Sequence, residues 1–233
     1  MTRIGGISRN AHRLSRSWPK LLLLICLGLP LGLLRGQPAD SGRVYPWRPA
    51  APEADSVANR IAVPAGYERV ALAPGSFGEW LRHLPLKAAG AAVHLYDGRL
   101  KPNQAAHCAV IDLDVGRRDL QQCADAVIRL RAEYLFSRGR AAEIVFHLTN
   151  GEPCPFARWA GGERPRIVNN RIRWERDAGV NRSHPSLRRY LDFVFAYAGT
   201  LSLERELAPV DSRPSPAPGD VFIQGGRPGH AVL

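Results

Sequence analysis

Residues 218–233 read PGDVFIQGGRPGHAVL, and this stretch decides the fold because it places two short apolar runs on either side of a glycine-rich reversal. The Pro-Gly-Asp opening is a turn signal, and residues 221–224 have the composition of a strand. The second run begins at His230 and is still apolar where the sequence stops at Leu233. The pattern predicts a terminal β-hairpin whose second strand starts with a histidine, and we expect the domain to be incomplete at its C-terminus.

The first 39 residues are typical of a signal peptide. Five basic residues precede the apolar run 21–34, which has the length of a signal-peptide core and is short for a membrane-spanning helix. We therefore expect export to the periplasm or the medium, with only transient membrane contact. An uncleaved membrane anchor is the alternative. The proline-rich residues 40–59 are predicted to be a linker, and residues 60–233 a single domain.

The charge of the chain depends strongly on the leader. The full sequence has 32 basic and 21 acidic residues, a formal charge of +11, and the leader contains six of the basic residues and no acidic one. Cleavage leaves 26 basic against 21 acidic residues, or +5. The remaining arginines are scattered and form no basic stripe with interleaved aromatic residues, so nucleic-acid binding is not indicated.

Cysteine spacing indicates neither a metal nor a cofactor site. Cys108, Cys123 and Cys154 remain after cleavage, and none of them forms a pair with metal-ligand spacing. An odd number of cysteines in an oxidising compartment allows one disulfide. Cys108 and Cys154 are the better partners, because Cys123 falls on the apolar stripe of a predicted helix.

Helix and strand patterns are mixed without a regular βαβ order, which indicates the α+β class, with a mixed or antiparallel sheet packed against a few helices. The clearest helix follows a capping signal at Asp119 and runs from Leu120 to about Arg138, where Gly139 ends it. The other predicted elements are a short helix after Ser76 that ends before Pro85, strands at 92–96, 107–115 and 143–148, a hairpin at 166–174 that turns at Asn169-Asn170, a helix from Pro185 to about 198, and a short helix at 202–207.

Cys123 is the strongest candidate for chemistry. It lies in the first turn of the clearest helix, where unpaired amides and the helix dipole favour a thiolate. A nucleophilic cysteine also needs a general base, which His230 would supply, and an oxyanion donor, for which Gln122 or Gln121 is suitable. A buried structural cysteine is the alternative interpretation, and a disulfide-bonded one also remains open.

Several long motifs, in the same order along the chain, resemble an uncharacterised bacterial family known as domain of unknown function 4846. The motifs are 95–98, 101–104, 112–119, 120–126, 129–134, 197–200, 219–220 and 228–232. The resemblance covers roughly residues 60–233. It implies an exported bacterial protein without an established activity, whose relatives continue past the strand that begins at His230.

A second resemblance is to papain-like envelope hydrolases of the NlpC and CHAP types. The order of Cys123, Gly219-Asp220 and Gly229-His230 is similar to their cysteine, turn and strand-opening histidine. This resemblance implies a papain-like fold that hydrolyses amide bonds, with a cell-wall peptide or glycan as partner. Cys123 would be the nucleophile and His230 the general base, with Gln122 as oxyanion donor.

Two functions without catalysis compete with the hydrolase. In the first, the chain is an envelope protein in which Cys123 only packs against the core and His230 only follows a turn. In the second, it is a peptide- or glycan-binding module that uses Trp80, Trp159 and Trp174, although tryptophans so far apart are more often core residues.

The leader yields the first prediction. We expect the exported protein to begin after Gly36 or Ala39, because the apolar run before these small residues has the length of a cleaved signal. N-terminal sequencing of the exported protein measures this. A protein that still begins at Met1 would instead establish an uncleaved anchor.

Overall fold

The computed structural model describes residues 2–5, 45–48, 53–210 and 216–233. Its helices are α1 (Val57–Arg60), α2 (Phe77–Arg82), α3 (Cys123–Ser137), α4 (Phe156–Ala160), α5 (His184–Tyr197) and α6 (Thr200–Glu206). Its strands are β1 (Thr2–Gly5), β2 (Val145–His147), β3 (Pro153–Pro155), β4 (Glu163–Val168), β5 (Arg171–Arg176), β6 (Ala208–Pro209), β7 (Val221–Gln224) and β8 (His230–Val232).

The strands form three antiparallel sheets. The predicted terminal hairpin is present as β7 and β8, and β1 and β6 extend it in the order β6-β1-β7-β8. β2 pairs with β3, and β4 pairs with β5. The α+β class is confirmed, whereas the strands divide among three small sheets where we expected one. β1, which belongs to the predicted leader, pairs with β6 and β7.

Helix α3 lies at the centre of the hydrophobic core. It contacts α2, α5, α6 and β8, and Ile128 and Ala132 on it are almost fully buried. Complete burial of a side chain such as Ile128 stabilises the fold by about 1.5–3 kcal/mol relative to its exposure. The position of α3 therefore fixes the position of every element that packs on it.

An aromatic cluster joins the segment before the domain to α2 and α3. Tyr45 and Trp47 pack against Trp80 at ring-centroid distances of 5.1 and 5.9 Å, and Tyr134 packs on the same ring at 5.8 Å. The hydroxyl of Tyr45 donates a hydrogen bond of 2.9 Å to the carbonyl oxygen of Trp80. This part of the predicted linker therefore packs against the core, because its two aromatic residues have apolar rings to contact.

The elements with strong local signals form where the sequence predicts them. Ser183 caps α5 by accepting a hydrogen bond from the Ser186 amide, and Pro185 lies in the first turn. The β4–β5 hairpin turns at Asn169 and Asn170, whose φ angles of 50° and 59° are the left-handed values that asparagine tolerates.

The strands predicted at 92–96 and 107–115 are wrong. In each segment only one residue forms a β-bridge, His94 with Leu100 and Ile111 with Leu86. Apolar alternation permits a strand, but a strand also needs a partner along its length. The segment 107–115 finds that partner only around Leu86, since Pro85 next to it has no amide hydrogen to donate.

Helix α3 begins at Cys123, three residues after the predicted start. The N-cap is Gln122, whose amide donates a hydrogen bond of 3.1 Å to the carboxylate of Asp125. Asp125, not Asp119, thus provides the capping carboxylate. Only 8% of Asp125 is exposed, and this burial raises the pKa of its carboxyl to about 6.

No helix in the ranges given above is long and apolar enough to cross a membrane. The apolar run 21–34 of the predicted signal peptide lies outside the described residues, as do residues 40–44 and 49–52 of the predicted linker.

Asp125 generates a prediction about pH. The pKa of its carboxyl is about 6 in the folded chain and about 3.9 in the unfolded chain, so between these values the folded state binds the proton more tightly. The bound proton therefore makes its full contribution to the free energy of unfolding below about pH 4, and this contribution is at most about 3 kcal/mol. It is lost as the pH rises through 6.

The variant Asp125→Asn removes this titration. We expect its stability relative to the wild type to improve between about pH 4 and pH 7, as measured by urea unfolding at both values. A difference between variant and wild type that is the same at both pH values would show that Asp125 does not titrate in this range.

Candidate active site

Cys123 lines a groove of about 520 Å³. It is the first residue of α3, it is half-buried, and its thiol is not in a disulfide. The groove is lined mainly by apolar side chains from α1, α2, α3 and the terminal hairpin. The lining includes Leu81, Leu84, Ile111, Ala126, Leu130, Pro218, Ala231 and Leu233. A thiol at the start of a helix is thus open to a substrate-sized depression.

Strand β8 forms one wall of this groove. Ala231 and Leu233 line it together with Cys123, and β8 contacts α3. His230 is exposed and pairs with Gln224 in the hairpin. Because side chains alternate along a strand, His230 points away from the face that Ala231 presents to the groove. The structure brings together the predicted elements, while the described part of the chain contains no hydrogen bond between the Cys123 thiol and the His230 imidazole.

The two glutamines before Cys123 have different surroundings. Gln122 is exposed, and its backbone caps α3. The side-chain oxygen of Gln121 accepts a hydrogen bond of 3.3 Å from Arg129. Gln121 is therefore held towards the interior, and only Gln122 remains on the solvent side of the helix start.

The other two cysteines are free thiols, so the predicted Cys108–Cys154 disulfide is wrong. Cys108 is exposed, whereas Cys154 is fully buried beneath Tyr190, whose hydroxyl donates a hydrogen bond to the Cys154 carbonyl oxygen. Burial raises the pKa of the Cys154 thiol to about 12. Cys154 is consequently an inert core residue on strand β3, with none of its surface exposed.

The three tryptophans proposed for ligand binding have different surroundings. Trp80 belongs to the aromatic cluster of the core, and Trp159 is 8% exposed and packs against Tyr190. Trp174 is half-buried beneath the guanidinium of Arg158, which lies 4.6 Å from its ring centroid. Two of the three rings are thus core residues.

A buried ion cluster next to the start of α3 was missed by the sequence reasoning. Glu133 accepts a hydrogen bond of 2.6 Å from Arg129, and both of its oxygens lie 2.9 Å from Nε2 of His184. The side chains of Arg129 and Glu133 have no exposed surface. Asp114 lies 3.6 Å from Arg129 and 3.3 Å from Arg188, and it closes the cluster on the solvent side. The available signal was an i,i+4 Arg–Glu pair on a helix that is otherwise buried.

Within the described ranges, no group of three or more His, Cys, Asp or Glu side chains is placed to hold a metal ion.

The ion cluster generates a stability prediction. The variant Glu133→Gln leaves the Arg129 guanidinium buried without its carboxylate, and we expect a loss of about 3–5 kcal/mol in the free energy of unfolding. Urea denaturation measures this loss. Glu175→Gln is the matched control, because Glu175 pairs with Arg166 on an exposed hairpin where such pairs contribute about 0–1 kcal/mol. Equal small effects for both variants would contradict the role of Glu133.

Comparison with known proteins identifies the family of this chain. No curated protein and no solved structure matches it. Residues 57–233, from the first residue of α1 to Leu233, match the family described as domain of unknown function (4846). The match includes Cys123, the ion cluster and the terminal hairpin, and it spans well over half of the 233 residues. The chain belongs to the family of domain of unknown function 4846.

Proposed function

We propose that this chain is an exported thiol hydrolase that cleaves amide bonds in the cell envelope, with Cys123 as its nucleophile. The observation that carries the proposal is the position of Cys123 at the start of a 15-residue helix, inside a groove walled by the strand that begins with His230. The support comes from this geometry, since no solved structure of a papain-like enzyme matches the chain.

The proposed reaction has two steps. The Cys123 thiolate attacks the amide carbonyl carbon, the carbon–nitrogen bond breaks, and the amine leaves with a proton from the His230 imidazolium. Water then hydrolyses the thioester, which releases the carboxylic acid and returns the thiol. The exposed Gln122 would donate a hydrogen bond to the oxyanion of each tetrahedral intermediate.

The proposal requires His230 to move. A general base must lie within about 3 Å of the group that it deprotonates, and the imidazole starts on the outer face of β8. His230 is the first residue of that strand, so the proposal needs a rearrangement at the beginning of the strand, where His230 pairs with Gln224.

The location of the substrate follows from the leader. The signal-peptide pattern in residues 1–39 favours export, and a cell-wall peptide is a polymeric amide available outside the membrane. The lining of the groove is mainly apolar, which suits the methyl side chains of short peptides, and it also includes Arg69 and Arg82.

A second candidate is a non-catalytic envelope protein, favoured by the tight packing before His230. A Cβ atom added at Gly229 would lie 2.1 Å from the hydroxyl oxygen of Thr200 and 2.5 Å from the carbonyl oxygen of Gly226. This packing holds the turn that directs the imidazole outwards. In this candidate Cys123 only lines an apolar depression.

Thiol labelling and digestion of purified sacculi test the proposal. In a Cys108→Ser background at mildly acidic pH, we expect iodoacetamide to modify Cys123 rapidly and the buried Cys154 only after unfolding. The same protein should release peptides from sacculi, and Cys123→Ala should reduce this release by about three orders of magnitude or more.

His230→Ala should cause a large loss of peptide release, with His94→Ala as the matched control, because His94 is also exposed but lies outside the groove. If Cys123 is modified only on unfolding and the sacculi stay intact, the hydrolase is excluded and the second candidate stands.

A further inference from the structure

A cavity of about 580 Å³ lies beside the groove, on the neighbouring face of α3. Its walls come from α2, α3, α6, β2 and β7 and are mainly apolar. Val127, Ile128, Leu135, Phe146, Leu203 and Val221 are among the residues that form them. The volume falls within the range of about 300–1,000 Å³ that holds small organic ligands.

Arg131 places a positive charge in this apolar cavity. Its guanidinium stacks 5.2 Å from the ring centroid of Phe77 and 5.4 Å from that of Tyr134. No described residue forms a hydrogen bond or an ion pair with it. Burial lowers the pKa of Arg131 from its ordinary value, but a guanidinium stays charged at neutral pH. Two aromatic faces hold the cation in place and leave its N–H donors unused.

The other charges of the cavity are already compensated. Arg140 donates two hydrogen bonds of 2.8 Å to the carboxylate of Glu143, so this carboxylate is already paired, although it also attracts Arg131 electrostatically. Glu206 accepts a hydrogen bond of 3.0 Å from the backbone amide of His147, and Nδ1 of the same histidine lies 3.6 Å from this carboxylate. The charge that remains for a ligand is that of Arg131.

We propose that this cavity binds a monocarboxylate with an apolar chain, whose carboxylate pairs with Arg131. A planar carboxylate can accept two parallel hydrogen bonds from a guanidinium, and an apolar chain removes the surrounding hydrophobic walls from water. A neutral apolar ligand would leave the buried guanidinium unpaired. A highly charged anion would lose its hydration on entering the cavity, and Arg131 alone would not compensate for that loss.

The cavity is distinct from the groove of Cys123. The two share only Val127 and Gly219, which form the partition between them. Binding in the cavity needs neither the thiol nor His230, so the inference stands or falls independently of the hydrolase.

Isothermal titration with sodium decanoate and with decanol, on the full chain, tests the site. We expect saturable one-to-one binding of decanoate that is stronger than that of decanol by about tenfold or more, the size of a charge-assisted hydrogen-bonded pair. Arg131→Met keeps the stacked apolar stem but removes the charge, and it should abolish the preference for decanoate. Arg173→Met is the matched control, because Arg173 is exposed on the β4–β5 hairpin far from the cavity lining.

A second variant locates the binding. Ala142 lines the cavity at its exposed edge, and Ala142→Trp should block entry and weaken both ligands without disturbing buried packing. Equal binding of decanoate and decanol by the wild type, or unchanged decanoate binding by Arg131→Met, overturns the proposal. Binding that Ala142→Trp does not weaken overturns it as well, and this result does not depend on how well Arg131→Met folds.

Discussion

The structure depends on one buried electrostatic contact, in which Glu133 on α3 meets Arg129 of the same helix and His184 at the start of α5. The Arg129 and Glu133 side chains have no access to water, so neither charge is tolerable without the other. His184 is separated from Glu133 by 51 positions in the chain, and its ring lies 2.9 Å from both carboxylate oxygens. Hydrophobic burial alone would allow α5 to slide along α3. The contact between His184 and the Glu133 carboxylate instead favours one position of α5 relative to α3.

The same guanidinium positions the segment that leads to Cys123. Arg129 donates hydrogen bonds of 3.3 Å to the carbonyl oxygen of Asp114 and to the side-chain oxygen of Gln121. The loop before α3 has little regular structure of its own, so these contacts substitute for strand pairing. The place at which α3 begins, and with it the location of the Cys123 thiol, is therefore tied to the charge balance of the interior rather than to apolar packing alone.

Sequence reasoning succeeded where the controlling interaction is local and failed where it is distant. The helix start at Pro185 and the Asn169-Asn170 turn are properties of four or five consecutive residues, and both are present as predicted. The strand at 107–115 failed because alternation cannot show whether a partner lies alongside. For the candidate site, the sequence located Cys123 within one turn of the helix start. It could not reveal the outward direction of His230, since a shift of one residue in register would reverse it.

Helix α3 is a shared wall, and this links the two depressions on either side of it. Cys123 and Arg131 are eight positions apart on the helix, which corresponds to about 12 Å along its axis. Val127 lies between them and lines both spaces. The contacts of Glu133 with His184 and of Arg129 with Asp114 join α3 to its neighbours and resist rotation of the helix about its own axis. A ligand held by Arg131 would thus restrain the groove at Cys123 through the rigidity of the helix, without contacting the thiol.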